Sequence, residues 1–188
     1  TKGSQPTEGG HLLLTPDERD EFLRLEPRAE KFIRPFIGAE EFINGKMRYC
    51  LWLVHATPDE LKMPQIAMRL EDVRRARLKS KTKSVREAAA TPHLFTQIRQ
   101  PSTNYLVVPR FSSERRRYIP IGFLSPTMIV SDTVLTIADA DLFRFGMLES
   151  SVHMAWMRAV CGRLEMRYGY SPSVYNNFVW CAPSPAIE

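Results

Sequence analysis

Cysteine is scarce in this 188-residue chain, with only Cys50, Cys161 and Cys181, widely spaced and set among apolar neighbours. An odd, scattered set excludes a disulfide framework or a zinc knuckle and points to buried, reduced thiols. His11, His55, His93 and His153 are equally dispersed, so no structural metal is expected. No apolar run approaches the roughly 20 residues that a bilayer-spanning helix requires, and no membrane partner is expected. Thr1 to Gly10 is polar and lacks the apolar core of a signal peptide. Without an initiator methionine, the chain reads as a soluble, cytoplasmic fragment of a longer polypeptide.

Self-contained catalytic machinery is missing too. No glycine-rich phosphate loop follows a strand, and no Asn-Pro-Pro-Tyr methyl-transfer signature occurs. The Gly-x-Ser-x-Gly elbow is absent, which leaves Ser112 and Ser113 poor nucleophiles. Asp139, Asp141 and His153 can be drawn into a triad on paper, but any chain of this length supplies such a set. No catalytic residue is expected, and no cofactor in this chain.

Hydrophobic content of 44% and charged content of 25% are ordinary for a soluble globular protein, and 188 residues can bury a proper core. Charge is the unusual property, because of where it sits. The net charge is +5, yet residues 69 to 86 alone carry +6 and residues 110 to 117 carry +3, leaving −4 for the rest. Concentrated positive charge favours a directed contact with a polyanion over a uniformly basic surface.

Along the chain, residues 1 to 14 read as an extended lead-in. Thr15, Pro16 and Glu18 then give a helix-start signature, predicting a helix over 16–25 that stops before Pro27. A short helix is expected over 28–35, a loop over 38–45, and a buried strand over 47–54. A long basic helix is predicted from about Pro64 to Ala89, buried through Ile66, Leu70, Val73, Ala76 or Arg77, and Leu78. Strands follow at 105–109, 118–123, 128–130 and 134–137. Helices are expected over 139–148 and from Ser150 or Ser151 to Arg167, the latter burying Val152, Ala155, Trp156, Ala159, Val160 and Leu164. The fold class is therefore α+β: a mixed, mostly antiparallel curled sheet with flanking helices and a long C-terminal helix. The stretch from Ser171 to Glu188 reads as a tail that crosses onto another surface.

Three stretches carry chemistry, and each has a second reading. Arg110-Phe-Ser-Ser-Glu-Arg-Arg-Arg-Tyr-Ile-Pro-Ile-Gly-Phe holds Arg110, Arg115, Arg116 and Arg117 against the single acid Glu114. Guanidinium forks held by a strand suit phosphate oxygens or a guanine edge; alternatively, the stretch is a solvated turn. Arg74, Arg75, Arg77, Lys79, Lys81, Lys83 and Arg86 form either an arm along a phosphate backbone or a solvated helix face. Glu149, Ser151 and His153 at the start of the late helix fall off its predicted apolar stripe. They are either presented outward, as at a helix entering a major groove, or simply cap the helix.

Five ordered motifs then point to one family. They are Gly3-Ser-Gln-Pro-Thr-Glu-Gly-Gly, Gly38-Ala-Glu-Glu-Phe-Ile-Asn-Gly-Lys-Met-Arg-Tyr-Cys-Leu-Trp-Leu, Ser112-Ser-Glu-Arg-Arg-Arg-Tyr-Ile-Pro, Ser151-Val-His-Met-Ala-Trp-Met-Arg-Ala-Val-Cys-Gly-Arg-Leu and Tyr175-Asn-Asn-Phe. Together they resemble the target recognition region of the MmeI-like, Type IIL restriction–modification enzymes. The likeness runs from about Gly3 to Trp180. Val179 and Cys181 stand where the family carries prolines.

The resemblance implies a recognition domain over 15–170. It would be reached by a linker over 1–14 from an upstream catalytic region and followed by a tail over 171–188 that docks back on that region. It implies double-stranded DNA as partner, with an adenine methyltransferase and an endonuclease in the same polypeptide. S-adenosylmethionine and Mg would belong to that parent enzyme, as would flipping of the target adenine. By motif, the base-reading positions map to Arg117, Glu149, Ser151 and His153. Arg110, Arg115 and Arg116, with the basic run from Arg74 to Arg86, would hold phosphates. Two rivals stay open: a protein–protein module and an RNA binder. The second is weakened by the lack of an exposed aromatic pair on an identifiable sheet face.

Overall fold

The computed structural model describes residues 1–181. In chain order its elements are β1 (Leu13–Leu14), α1 (Pro16–Leu25), β2 (Ile33–Ile37), α2 (Ala39–Asn44), β3 (Tyr49–Leu51), α3 (Pro64–Leu78), α4 (Lys83–Glu87), β4 (Tyr105–Pro109) and β5 (Phe111–Ser113). They continue with β6 (Gly122–Leu124), β7 (Ile129–Val130), β8 (Val134–Ala138), α5 (Leu142–Leu148), α6 (Ser151–Val160), β9 (Gly162–Leu164), β10 (Arg167–Gly169) and α7 (Pro172–Asn176). The class is α+β, with sheets antiparallel apart from one parallel pair. Two compact units divide the chain: Gly3–Gln100 with Thr127–Asp132, and Thr1–Lys2 with Pro101–Pro126 and Thr133 onward.

The first unit is built on the sheet β1-β3-β2-β7. Helix α1 begins where its signature requires: Thr15 Oγ1 accepts the Glu18 amide, and Glu18 accepts the Thr15 amide at 2.8 Å. Helix α3 buries Ile66, Leu70, Val73 and Arg77, an i, i+4, i+7, i+11 stripe whose apolar members share a core with Phe36 and Leu51 of the sheet and with Phe95. Leu78, expected in that stripe, is exposed, and there the helix ends. The long helix expected to Ala89 is thus broken into α3, a bend at Lys81 and Thr82, α4 and a 3₁₀ turn over Ala88–Ala90.

The first fourteen residues are no free linker. Leu12 and Leu14 are buried, and β1 pairs with β3. The Ser4 amide donates to the Val130 carbonyl at 2.7 Å, and the backbones approach so closely that a Cβ on Gly3 would lie 2.3 Å from the Ser131 oxygen. Only glycine fits there. The expected loop over 38–45 is helix α2, whose opening amide at Gly38 is received by the buried Glu41 carboxylate at 2.8 Å. The short helix expected over 28–35 is a 3₁₀ turn, Pro27–Phe32, that runs into β2.

The second unit holds two three-stranded sheets, β6-β4-β8 and β5-β10-β9. Strand β4 is buried along its whole length. Leu106 and Val108 lead a core completed by Ile119, Ile121, Leu135, Leu148, Met154, Met157, Tyr170 and Val174. Helix α6 does not reach Arg167; it stops at Val160, and the chain reverses into the β9–β10 hairpin through Glu165, which adopts a left-handed backbone (φ 54°). At Gly169 the paired backbone is close, since a Cβ there would meet the Gly162 oxygen at 3.1 Å, whereas a Cβ on Gly162 would face open space.

The expected tail also belongs to this unit as far as Trp180. Phe178 is buried edge-on against His153, with ring centroids 4.9 Å apart, and Trp156 Nε1 donates to the Val174 carbonyl at 3.0 Å. The remainder of that tail, residues 182–188, lies outside the described residues.

Candidate nucleic-acid interface

The arginine stretch is not a free coil. After β5 the chain turns at Ser113, whose carbonyl accepts the Arg116 amide at 3.1 Å and whose hydroxyl accepts the Arg115 amide at 3.3 Å. Arg115, Arg116 and Arg117 leave this turn exposed, and Arg117 Cζ lies 5.5 Å from the Tyr118 ring centroid. Arg110 is partly buried, with Cζ 5.7 Å from the Phe111 ring.

The strand expected over 118–123 begins only at Gly122, as β6, and the unpaired segment before it is fixed by the corner between α5 and α6. Arg158 donates to the Arg117 carbonyl, the Ile119 amide points at Met154 Sδ at 3.4 Å, and the Ile121 amide donates to the Glu149 carboxylate. Alternate residues of this segment (117, 119, 121) are therefore tied to the helical corner (158, 154, 149). Ile119 and Ile121 are buried between these ties, so apolar packing and hydrogen bonds select the same register. Arg117 and Glu149 consequently sit on one rigid module.

Glu149 is half-buried. Loss of solvent pushes its carboxyl above the usual range, opposed by the Ile121 amide. One amide uses only part of the acceptor capacity of a carboxylate, so lone pairs are left for an incoming donor. Ser150 caps α6 by accepting the His153 amide at 3.1 Å, and Ser151 is exposed beside it. Val152, expected inside, is 68% exposed.

His153 does not join the outward set. It is fully buried, with Nδ1 2.8 Å from the Leu148 carbonyl and Nε2 2.9 Å from the Tyr170 hydroxyl. Burial holds its pKa below the ordinary histidine value, against the Leu148 carbonyl, which raises it. The expectation of an outward base reader at 153 is corrected: both ring nitrogens are engaged in the interior. The buried stripe of α6 is His153, Met154 and Met157, about one residue out of phase with the Val152-based stripe.

The basic run in the first unit divides in the same way. Arg74, Arg75, Lys79, Lys81, Lys83 and Arg86 are exposed. Arg75 pairs with Asp72, Lys83 lies 3.8 Å from Glu87, and Arg86 Nη1 donates to the Ser80 and Lys81 carbonyls at 2.9 and 2.8 Å. Arg77 is only 1% exposed. Its Nε donates to the Thr7 carbonyl at 2.9 Å, Nη1 to Ala88 and Thr91 at 2.9 and 3.0 Å, and Nη2 to Pro6 and Leu94 at 3.1 and 2.7 Å. All five donors are taken by main-chain carbonyls, so Arg77 is withdrawn from the phosphate-contact set.

Comparison with known proteins decides the family. The family described as "MmeI, target recognition domain" matches residues 1–182. The chain belongs to the MmeI target recognition domain family. A solved structure of the Type IIL restriction–modification enzyme MmeI in complex with DNA is 45% identical and superposes with a TM-score of 0.95, over 98% of this chain and 25% of that one. A protein named DNA methyltransferase A from Bacillus subtilis (strain 168) is 39% identical over 178 residues, covering 94% of this chain and 20% of its own length. The chain thus spans a fifth to a quarter of these relatives.

The five motifs that carried the resemblance divide by role in this MmeI-type domain. Gly3-Ser-Gln-Pro-Thr lines the close approach to Val130 and Ser131 and supplies carbonyls to Arg77. Ser151 to Leu164 contains both the support for the segment after the arginine turn, through Met154 and Arg158, and the first half of the hairpin. Sequence reasoning missed Arg158, Arg163, Arg167 and Tyr170. The four-residue spacing of Met154 and Arg158 places them on one helix face, and that was a readable signal. Among the described residues no cluster of His, Cys, Asp or Glu could hold a metal, and no helix is long and apolar enough to cross a membrane.

Proposed function

We propose that this domain reads a short sequence in double-stranded DNA and supplies that choice to an adenine methyltransferase and an endonuclease in the same polypeptide. The observation that carries the reading is the shared module of Arg117 and Glu149, in a chain whose 45%-identical relative was solved with DNA. Arg117 offers a bidentate fork to guanine O6 and N7. Glu149, already holding one amide, accepts from the exocyclic amine of cytosine, and Ser151 serves either base. Arg110, Arg115 and Arg116 hold phosphates and set register, as do Arg74, Arg75, Lys79, Lys81, Lys83 and Arg86 in the first unit. His153 supports the module from inside.

Chemistry on the target base belongs to the attached catalytic region, with S-adenosylmethionine and Mg as its cofactors. This domain holds the duplex in a cytoplasmic defence enzyme. The test is to sequence the methylated positions in DNA exposed to the intact enzyme and to its Arg117→Ala variant. Relaxed choice at one position is expected, a discrimination loss of about 1–3 kcal/mol. An identical methylated sequence at normal affinity would overturn the role of Arg117. Absence of duplex binding would return the domain to a protein-docking reading.

A further inference from the structure

The sheet β5-β10-β9 has an outer face that the fold does not use. Register pairs Ser113 with Arg167 and Phe111 with Gly169 on β5–β10, and Arg167 with Leu164 and Gly169 with Gly162 on β10–β9. Residues directly opposite point the same way, as do alternate residues along a strand. Phe111, Arg167 and Leu164 therefore share one face, and the glycine pair leaves it flat. Arg163 and Tyr168 lie on the other, with Arg163 Cζ 4.8 Å from the Tyr168 ring.

On the outer face Arg110 and Arg167 both lie over Phe111, with Cζ 5.7 and 6.0 Å from its centroid. Leu164 is 46% exposed and Met166, at the hairpin tip, 67%. The tip is fastened to the arginine turn: the Glu114 amide donates to the Met166 carbonyl at 3.2 Å, and Arg163 lies 3.6 Å from the Glu114 carboxylate. Seven arginines of this unit (110, 115, 116, 117, 158, 163 and 167) outnumber the acids placed with them, Glu114, Glu149 and Glu165. Arg167 pairs with Glu165 at 3.2 Å, but the pair is exposed, so its exchange for a phosphate costs little.

We infer that the β9–β10 hairpin is a second DNA-contacting element. Leu164 and Met166 press on sugars and base edges in a groove, while Arg167 takes a flanking phosphate. A two-stranded ribbon fits the major groove, and apolar tips are a recurrent means of contact with base steps. Excess positive charge selects DNA over a protein partner, and the bond from Glu114 to Met166 brings the tip to any duplex that the turn meets. This rests on the DNA-reading function proposed above.

The experiment uses the intact enzyme and a labelled duplex containing its methylated site, with binding followed across a salt series. The double variant Leu164→Ser/Met166→Ser is expected to bind roughly tenfold more weakly at an unchanged salt slope. Arg167→Gln is expected to flatten the log–log slope by about 0.9, one phosphate contact. Both changes lie on exposed positions, and unchanged melting temperatures would show that folding is intact. Wild-type binding with neither variant affected would overturn the hairpin contact and leave base reading standing. A wild-type enzyme that does not bind the duplex would overturn base reading, and the hairpin contact with it.

Discussion

Tyr170 donates its phenol hydrogen to Nε2 of His153 across 2.9 Å. The direction follows from the other nitrogen: the Leu148 carbonyl 2.8 Å from Nδ1 can only accept, so Nδ1 carries the proton and Nε2 is an acceptor. Burial raises the Tyr170 pKa and lowers that of His153, so both groups stay neutral together. Phe178 covers the imidazole edge-on. This pair closes the interior behind α6, the helix that presents Ser151 and holds Arg117.

A pH dependence follows from the lowered His153 pKa. A group whose folded pKa is depressed contributes stability that is fully present above its unfolded value, about 6.5 for histidine. That contribution is lost as pH falls from there through the folded value. Thermal melting should therefore drop as pH is lowered below about 6.5, and His153→Gln should show a shallower drop. The comparison matters because burial and Arg77 also lower the His93 pKa, and His93 stays in both proteins. Equal slopes for the two proteins would contradict the buried neutral tautomer.

Tyr170→Phe isolates the hydrogen bond from the packing. It removes one oxygen and leaves Nε2 of a buried imidazole without a donor. The expected cost is about 1–3 kcal/mol in denaturant unfolding, with base preference unchanged.

The sequence made some of this legible, for identifiable physical reasons. Helix α1 and strand β4 have the predicted limits, because Thr15, Pro16 and Glu18 act locally and Tyr105–Pro109 is apolar throughout. Helix α6 was legible as a helix but not in phase. Val152 looks like a better core residue than His153, and periodicity has no means of showing that Leu148 and Tyr170 satisfy the imidazole. Arg77 deceives in the same way: only tertiary structure supplies five carbonyls to one guanidinium. Strands β9 and β10 were hidden because each is only three residues long and the pairing of β10 with β5, which anchors the hairpin, is non-local.

Arg77 and the lysines that follow it should separate cleanly by experiment. Arg77→Lys offers three donors without the planar fork, leaving buried carbonyls unpaired, so a loss of about 3 kcal/mol or more of folding stability is expected. Lys79→Ala, Lys81→Ala and Lys83→Ala combined should leave melting unchanged. Duplex affinity should fall for all sequences alike, and the salt slope should flatten by about 2.7. A triple variant with the wild-type slope would reduce this run to a solvated surface.

Arg158 ties the scaffold to Arg117, the proposed base reader. It donates to the carbonyl of Arg117 and does not itself occupy the expected base-reading set. Removing it frees the main chain at 117 while Ile119 and Ile121 remain packed, so the unit stays folded but the guanidinium fork loses its fixed origin. Two parallel hydrogen bonds to a guanine edge tolerate little displacement, whereas the phosphate contacts proposed for Arg115 and Arg116 would tolerate much more. Arg158→Gln should therefore lower discrimination at the position read by Arg117 by roughly 5- to 10-fold, with non-specific affinity and melting temperature close to wild type. Arg158→Lys, which keeps a donor and a charge, should restore part of the loss. A purely structural role would shift melting and leave base preference alone, and the two readouts distinguish these outcomes within one pair of variants.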